Sequence, residues 1–415
     1  MAGLLGPYRV LDLTNERGLL CGQILGDLGA DVVKVEPPGG SAARGIGPFY
    51  EDRPHPDRSL FWWSFNRNKR GITLDLERAE GGALLRRLVE RADVFIESEM
   101  PGTLARCGLG YDDLAKLNPR LIYVSITPFG QTGPKATWAD ADVVILAAGG
   151  PLSLTGDDDR PPVRVTVPQA YSHAAAEAAG AALIALHERH RSGLGQHVDV
   201  SAQQAVAMAT QSNILSAAVG FPELTRVSGG ARAGAWTYRF VYPAKDGFVS
   251  ITFVFGSSVG RFTRRLMEWI HDEGFCDAAT RDKDWIAYTM LLMTGAEPIE
   301  ELERLKGVIA AFTASKTKAE LLRAASERDV LIAPVTQIDE VVASEQLAAR
   351  GYWREVEHPE LGRAFRYPGP FVHCAAKPIE YRRRAPTVGE HNREIYAELG
   401  IDDAELERLR EQGIV

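Results

Sequence analysis

A turn carrying three positive charges, Asn66-Arg-Asn-Lys-Arg70, is the first stretch of this 415-residue sequence whose residue types could do chemistry. Arginine and lysine are the usual partners of phosphate groups, because their N–H donors complement phosphate oxygens in charge. The turn is therefore a candidate site for a phosphorylated ligand. A solvated basic turn without a ligand is the alternative, and the motif taken alone favours that alternative.

Two residues near predicted helix starts are candidates for acid–base chemistry. His173 lies where a helix N-terminus lowers the pKa of an imidazole, so that it could act as a base, although a structural histidine is the usual alternative. Asp142 precedes the apolar run 143–148, where an acid either organises a site or caps the helix. The histidines lack H-x-x-x-H and H-E-x-x-H spacing, which argues against a metal site.

The stretch 163–201 predicts the elements that position such residues. A β-branched run ends at Pro168, an Ala-rich helix is expected from about Tyr171 to His190, Gly193 suits its C-cap, and 196–200 predicts a strand. The expected buried face of this helix has the i, i+3, i+4 spacing and consists of Ala175, Ala178, Ala179, Ala182, Leu183 and Leu186.

Strand-like and helix-like segments alternate through about the first 200 residues, which predicts an α/β fold with a mostly parallel sheet. Residues 8–36 form a strand–helix–strand unit that lacks G-x-G-x-x-G, so a dinucleotide site of the usual kind is not expected. A change in composition after Phe221 predicts a second, smaller α/β domain. The expected organisation is a large domain over 1–220, a small domain over 221–330, and a return to the large domain over 331–415.

Several motifs in register resemble the family III CoA transferases, the CaiB/BaiF group. They are N-x-N-K-R at 66–70, A-D-V-x-x-E at 92–97, P-G-x-L-x-R at 101–106, L-N-P-R-L-I at 117–122, A-L-x-x-R with S-G-x-G-Q and V-D-V-S over 185–201, and P-x-V-G-E-H at 386–391. The resemblance covers nearly the whole chain and is weakest between about 255 and 325.

This resemblance implies a Rossmann-like large domain, with its parallel sheet built from N- and C-terminal parts, and an interlocked dimer. It also implies that coenzyme A or an acyl-CoA is a substrate together with a carboxylic acid, and that no cofactor is bound permanently. The CoA-binding residues implied by the family are Asn15, Arg17, Asn68, Lys69, Arg70, Ser98, Arg106, Gly229 and Gly230. A plain linker is the alternative for the two glycines.

The family's nucleophile is an aspartate at the turn into the Ala-rich helix, and this chain has Gln169, Ala170 and Tyr171 there. A carboxamide cannot supply that nucleophile, and a phenol is weak without a base beside it. The candidate catalytic residues are Gln169, Tyr171, His173 and Asp142. Three hypotheses follow: a CoA-transferase subunit whose partner brings the aspartate, an acyl-CoA isomerase or lyase using acid–base chemistry, or an inactive CoA-binding homologue. CoA transfer between carboxylic acids is the interpretation adopted.

Composition and charge argue against several other classes of protein. A net charge of −8 without a basic run argues against nucleic acid, and the apolar stretches are too short to span a membrane. Four scattered cysteines and an N-terminus unlike a signal peptide predict a cytoplasmic protein. The aromatic residues Phe61, Trp62, Trp63 and Trp236 hint at an apolar or aromatic acid as substrate, although aromatic residues more often belong to the core.

Overall fold

The computed structural model describes residues 3–221 and 225–415, and the chain divides into two compact units. The first unit is Met1–Leu152, Val165–Ser212 and Glu345–Val415, and the second is Ser153–Arg164 and Asn213–Ser344. The boundaries expected at 220 and 330 therefore lie at 212 and 344, and residues 153–164 belong to the second unit. No helix among the described residues is long and apolar enough to cross a membrane.

A six-stranded parallel sheet organises the first unit. Its strands are β1 (Arg9–Asp12), β2 (Asp31–Glu36), β3 (Lys69–Thr73), β4 (Val94–Glu97), β5 (Ile122–Thr127) and β6 (His197–Ser201). They lie in the order β3-β2-β1-β4-β5-β6, and every neighbouring pair is parallel. The predicted α/β class with a parallel sheet is confirmed.

Helices connect these strands and follow the last one. In the first unit they are α1 (Leu19–Asp27), α2 (Leu60–Asn66), α3 (Ala79–Val89), α4 (Thr103–Arg106), α5 (Tyr111–Leu117), α6 (Asp142–Ala148), α7 (Ala170–Ser192) and α8 (Ala202–Met208), and α9 (Gln211–Ala218) spans the boundary. Short 3₁₀ turns lie at Ala42–Gly45, Tyr50–Asp52, Pro151–Leu154 and Pro359–Leu361.

Helix α7 packs on one face of the sheet, beside α1, β5 and β6. The predicted face is buried: Ala175, Ala178, Ala179, Ala182 and Leu186 are in the core, with Leu183 partly buried against it. Small side chains allow this close approach of helix and sheet. The helix ends as predicted at Gly193, which has φ +78° and donates its N–H to the Arg189 carbonyl at 2.9 Å.

The other face of the sheet is covered by α3, α5 and the C-terminal helices α17 (Asn392–Glu398) and α18 (Asp403–Glu411). The expectation that C-terminal residues add strands to the parallel sheet is wrong for the described residues. Residues 345–415 instead contribute the short helix α16 (Glu345–Ala349), the separate hairpin of β12 (Arg354–His358) and β13 (Arg363–Tyr367), and the two C-terminal helices. Strand β3 is the sheet edge, and its backbone Gly71 and Thr73 N–H groups donate to His391 and Asn392 side chains.

The second unit has its own core and a three-stranded antiparallel sheet. Its strands are β7 (Gly230–Ala233), β8 (Trp236–Arg239), β9 (Val241–Ala244), β10 (Gly247–Ile251) and β11 (Ile332–Pro334), with β11-β10-β9 forming the sheet and β7-β8 a hairpin. Its remaining helices are α10 (Gly260–Asp272), α11 (Ala278–Arg281), α12 (Tyr288–Thr294), α13 (Ile299–Ala314), α14 (Lys318–Arg328) and α15 (Ile338–Val342). The chain returns to the first unit later than the predicted residue 331, because β11 pairs with β10 and so belongs to the second unit.

Candidate active site

The loops that follow β1 and β4 meet at the carboxyl end of the sheet. From β1 the chain adds β2 and β3 on one side of the sheet, and from β4 it adds β5 and β6 on the other side. Open α/β sheets form ligand crevices at such a change of direction. Two hydrogen bonds join the loops: the Asn15 backbone N–H donates to the Ser98 hydroxyl at 2.9 Å, and that hydroxyl donates to Asn15 Oδ1 at 2.9 Å. Asn15 and Ser98, two of the predicted binding residues, therefore hold together the two loops at the opening of this crevice.

Arg17, on the first of these loops, forms an ion pair with Asp140. Its Nη2 lies 2.7 Å from Asp140 Oδ1 and its Nε 3.2 Å from Oδ2. The Tyr171 hydroxyl donates a hydrogen bond to the same carboxylate. Burial and this hydrogen bond raise the pKa of Tyr171 above that of an ordinary phenol. Tyr171 is therefore held neutral, as a donor, and is a poorer nucleophile than the phenol considered from sequence.

Asp142, the first residue of α6, binds the start of α7. Its Oδ1 accepts the Gln169 N–H at 2.7 Å and the Ala170 N–H at 2.8 Å. Its Oδ2 is buried and has no hydrogen-bond partner among the described residues. Asp142 thus satisfies N-terminal donors of a helix other than its own, where a negative charge is favourable.

The three residues of the turn into α7 lie in three different environments. Tyr171 lines a cavity, Ala170 is fully buried in the core, and the Gln169 amide is directed to the Val167 carbonyl at 3.2 Å. No carboxylate lies on the turn. The His173 side chain is exposed and does not line the cavity, so the structure does not bring it together with Arg17 and Tyr171.

The cavity beside Tyr171 has a volume of about 600 Å³ and lies within the first unit. Its walls are the loop after β1, helix α2 with the loop before it, and the segment that leads into α7. Its lining consists of Glu16, Arg17, Leu19, Leu20, Ile46, Gly47, Pro48, Leu60, Phe61, Ser64, Phe65, Thr166, Val167, Pro168, Tyr171 and Ser172.

The basic turn does not present free cations, which corrects the expectation for Asn68 and Lys69. The Lys69 ammonium is 0% exposed and bonds to Asp12 Oδ2 at 2.8 Å, the Leu19 carbonyl at 2.9 Å and Asn66 Oδ1 at 3.0 Å. All three of its donors are used. Asn68 is buried, with its amide donating to Asp27 Oδ1 at 2.8 Å. Both side chains hold the fold together and have no group free for a phosphate.

Arg70 is likewise neutralised, by Asp31, Glu394 and Glu398, with Arg9 as the second cation of the group. Three carboxylates against two guanidinium groups leave this cluster with an excess negative charge, which disfavours a phosphate. The side-chain contact expected for Arg70 is therefore also corrected. Sequence alone could not show this, since Glu394 and Glu398 lie more than 300 residues away.

Arg106, at the end of α4, is exposed, and its one side-chain hydrogen bond in the described structure goes to Thr103 Oγ1 at 3.4 Å. It remains available for a ligand. Gly229 and Gly230 lie in the second unit, where Gly229 has φ +57° and Gly230 begins the β7-β8 hairpin. A Cβ on Gly230 would lie 1.9 Å from the Tyr238 carbonyl oxygen, so hairpin packing requires this glycine.

Glu97 is a buried acid that sequence reasoning passed over. It ends β4, is in register with Ser125 of β5, and Ser125 is in register with Asp199 of β6. Burial, opposed by hydrogen bonds from Ser125 and the Glu99 backbone, raises the pKa of Glu97 to about 7. An acid directly after the apolar run 94–96 is the signal in the sequence. Asp140 is a second acid of the site, because it bridges Arg17 and Tyr171.

Comparison with known proteins agrees with this architecture. The family model for CoA-transferase family III matches residues 5–392. The subunit BbsE of succinyl-CoA:(R)-benzylsuccinate CoA-transferase from Thauera aromatica is 35% identical, over 98% of this chain and 97% of its own. The succinate–glutarate CoA-transferase of Agrobacterium fabrum is also 35% identical, over 95% of both chains. A crystal structure of a CAIB/BAIF family protein from Brucella suis has a TM-score of 0.81 and 27% identity, covering 96% of this chain and all of that one.

An open α/β sheet with a crevice at its switch point and a cavity at the turn into α7 defines a ligand-binding enzyme scaffold. The chain belongs to CoA-transferase family III. It is a transferase by class, and the activity of that class is CoA transfer between carboxylic acids.

Proposed function

We propose that this chain is the non-nucleophilic subunit of a heteromeric family III CoA-transferase, in which a homologous partner supplies the aspartate. One observation carries the proposal. The side chain of the turn that faces the cavity belongs to Tyr171, a neutral phenol bound to Asp140, and no carboxylate is present at 169–171. The dimer expected from the family resemblance would then be a pair of unlike chains.

The chemistry explains why a partner is required. A carboxylate oxygen attacks the thioester carbonyl, the C–S bond breaks, and CoA leaves as a thiolate while a mixed anhydride forms. The thiolate then attacks the enzyme's side of the anhydride and releases the acid. A neutral phenol lacks the charge for the first step, so this chain contributes binding and positioning.

The alternative of an acyl-CoA isomerase or lyase gains no support from its two candidate residues. The Oδ1 atom of Asp142 accepts two backbone N–H groups, and its Oδ2 atom is buried. His173 is exposed and outside the cavity lining. The name of the Thauera aromatica relative, a subunit, supports the heteromeric interpretation.

Binding of the CoA part is proposed for the crevice residues Asn15, Arg17 and Ser98, with Arg106 as the exposed cation. Asn15 and Ser98 hold the two loops together, and Arg17 faces the cavity. A cytoplasmic location is part of the same proposal. It is supported by the cysteines, which are all unpaired.

Trapping of a covalent species tests this function. The wild-type chain, incubated with acyl-CoA and treated with hydroxylamine or borohydride, should show no adduct by native mass spectrometry and peptide mapping. Tyr171→Asp places a carboxylate in the cavity beside Arg17 and should acquire a trappable adduct. Gln169→Asp is the matched control, because that side chain lies outside the cavity lining and should stay unmodified.

An adduct on the wild-type chain would contradict the proposal and identify the replacement nucleophile. CoA-ester binding without any adduct, with turnover restored by an aspartate-bearing homologous subunit, is the expected result. Absence of CoA-ester binding would contradict the proposal and leave only a structural role for the fold.

A further inference from the structure

We propose that the cavity beside Tyr171 receives an acyl group with a bulky apolar body, an aryl-alkyl acid rather than a short dicarboxylic acid. This inference rests on the proposed function, because it takes the site at the turn into α7 to be the acyl end of a CoA-ester site. It adds the chemical class of the acid.

The position of the cavity sets the direction of the acyl chain. Tyr171 and Arg17 lie at the wall formed by the α7 turn and the loop after β1, and Arg17 Nη1 reaches the loop after β4 by donating to the Ser98 carbonyl at 3.5 Å. A thioester carbonyl placed there would extend its acyl chain along α2. That helix supplies Phe61 and Phe65 to the lining.

The wall along α2 is apolar. The rings of Phe61 and Phe65 have centroids 4.8 Å apart at an angle of 55°, a geometry that accepts a further aromatic ring. The one hydroxyl on this wall, that of Ser64, already donates to the Leu60 carbonyl at 2.8 Å. Trp62 and Trp63, named from sequence as hints of an aromatic substrate, are buried in the core and do not line the cavity.

Charge in the lining argues against a short diacid. Arg17 is the only cation among the lining residues, and Asp140 already neutralises it. A second carboxylate placed along α2 would lose its hydration without a charged partner, which is strongly unfavourable. Glu16, also in the lining, would repel it. The volume of about 600 Å³ is within the usual range for small-molecule sites.

The test measures binding by isothermal titration of the full-length chain. The probes are free CoA, succinyl-CoA and 3-phenylpropanoyl-CoA, which share the CoA part and differ in the acyl body. We expect 3-phenylpropanoyl-CoA to bind at least about tenfold more tightly than succinyl-CoA, as burial of an aryl group predicts. Ser64→Trp should fill the part of the cavity along α2 and reduce the preference to less than about threefold, with free CoA unaffected, since the CoA part is held at Arg17 and does not extend along α2.

Phe61→Ala serves as a second variant if Ser64→Trp does not fold, and should weaken 3-phenylpropanoyl-CoA binding about fivefold or more through lost ring contact. Phe248→Ala is the matched control, because Phe248 is 52% exposed in the second unit and should leave all three affinities unchanged.

Each of the other outcomes would contradict either this inference or the proposed function. Equal affinity for the two thioesters would overturn the inference and leave the proposed function standing, and the cavity would then be assigned to side chains of a second chain. A preference that survives both cavity variants would overturn it as well, by locating the selectivity elsewhere. Failure of all three probes to bind would overturn the proposed function itself.

Discussion

At the scale of single residues, the first unit contains buried charges that are paired with one another. Asp12, Lys34 and Lys69 are all 1% exposed or less. Burial alone would raise the pKa of Asp12, but the two lysines outweigh it and lower that pKa. Removing one partner of such a group leaves a charge without compensation, which costs several kcal/mol. The conspicuous cations of the basic turn thus stabilise the fold.

Glu97 gives a residue-scale prediction on pH. Its pKa of about 7 in the folded chain exceeds the ordinary value of about 4.3, so between these pH values the folded state holds a proton that the unfolded state releases. The free energy of unfolding therefore falls as pH rises through this window and is level above it. From pH 5.5 to 7.5 the loss should be about 2 kcal/mol.

Glu97→Gln tests this directly, because glutamine has nearly the same shape and does not titrate. Urea unfolding of both proteins at pH 5.5, 6.5, 7.5 and 8.5 should show the variant gaining stability relative to the wild type up to about pH 7. A difference that is constant with pH would show that Glu97 ionises normally.

At the scale of elements, the start of α7 depends on a residue from another helix. Gln169 is the N-cap residue but provides no side-chain capping hydrogen bond. Asp142 of α6 supplies the acceptor for the Gln169 and Ala170 N–H groups. The turn at which the family has its nucleophile is therefore held in place by a contact between α6 and α7.

Asp142→Ala should release this turn. Two backbone donors lose their acceptor, and the expected destabilisation is about 1–3 kcal/mol. Asp142→Asn keeps an oxygen acceptor and loses only the charge near the helix dipole, so it should cost about 1 kcal/mol or less. Thermal unfolding of the two variants distinguishes these effects, and equal losses would mean that charge alone stabilises the turn.

At the scale of the whole molecule, the chain returns from the second unit to close the first. Helix α17 covers the edge strand β3, where Asn392 Oδ1 accepts the Thr73 N–H at 2.9 Å and Asn392 Nδ2 donates to Thr73 Oγ1 at 2.8 Å. The Tyr396 hydroxyl donates to the Thr73 carbonyl at 2.7 Å. An otherwise unpaired sheet edge is thereby satisfied by side chains.

Asn392→Ala should lower the stability of the first unit by about 2 kcal/mol, because the buried Thr73 N–H loses its acceptor. Arg393→Ala, the next residue of the same helix, is the control. Its ion pair with Asp403 is exposed, so the expected change is within about 0.5 kcal/mol. Denaturant unfolding compares the two, and similar losses would contradict this account of the closure.

Much of the regular structure around the parallel sheet could be predicted from the residues alone. Alternating strand and helix patterns predicted the parallel sheet, and the spacing of Ala178, Ala182 and Leu186 predicted the buried face of α7, because local periodicity encodes which side of an element is apolar. The absence of an acid at 169–171 is likewise visible in the sequence.

Which polar groups are free to act could not be predicted from the sequence, because it depends on contacts made in the folded chain. Lys69 and Arg70 belong to one motif, yet their availability depends on Asp12 and Glu398, which lie far away in the sequence. Similarly, packing directs Tyr171 into the cavity and Gln169 away from it. A motif specifies residue types, whereas burial and charge pairing arise from neighbours that only the folded chain brings together.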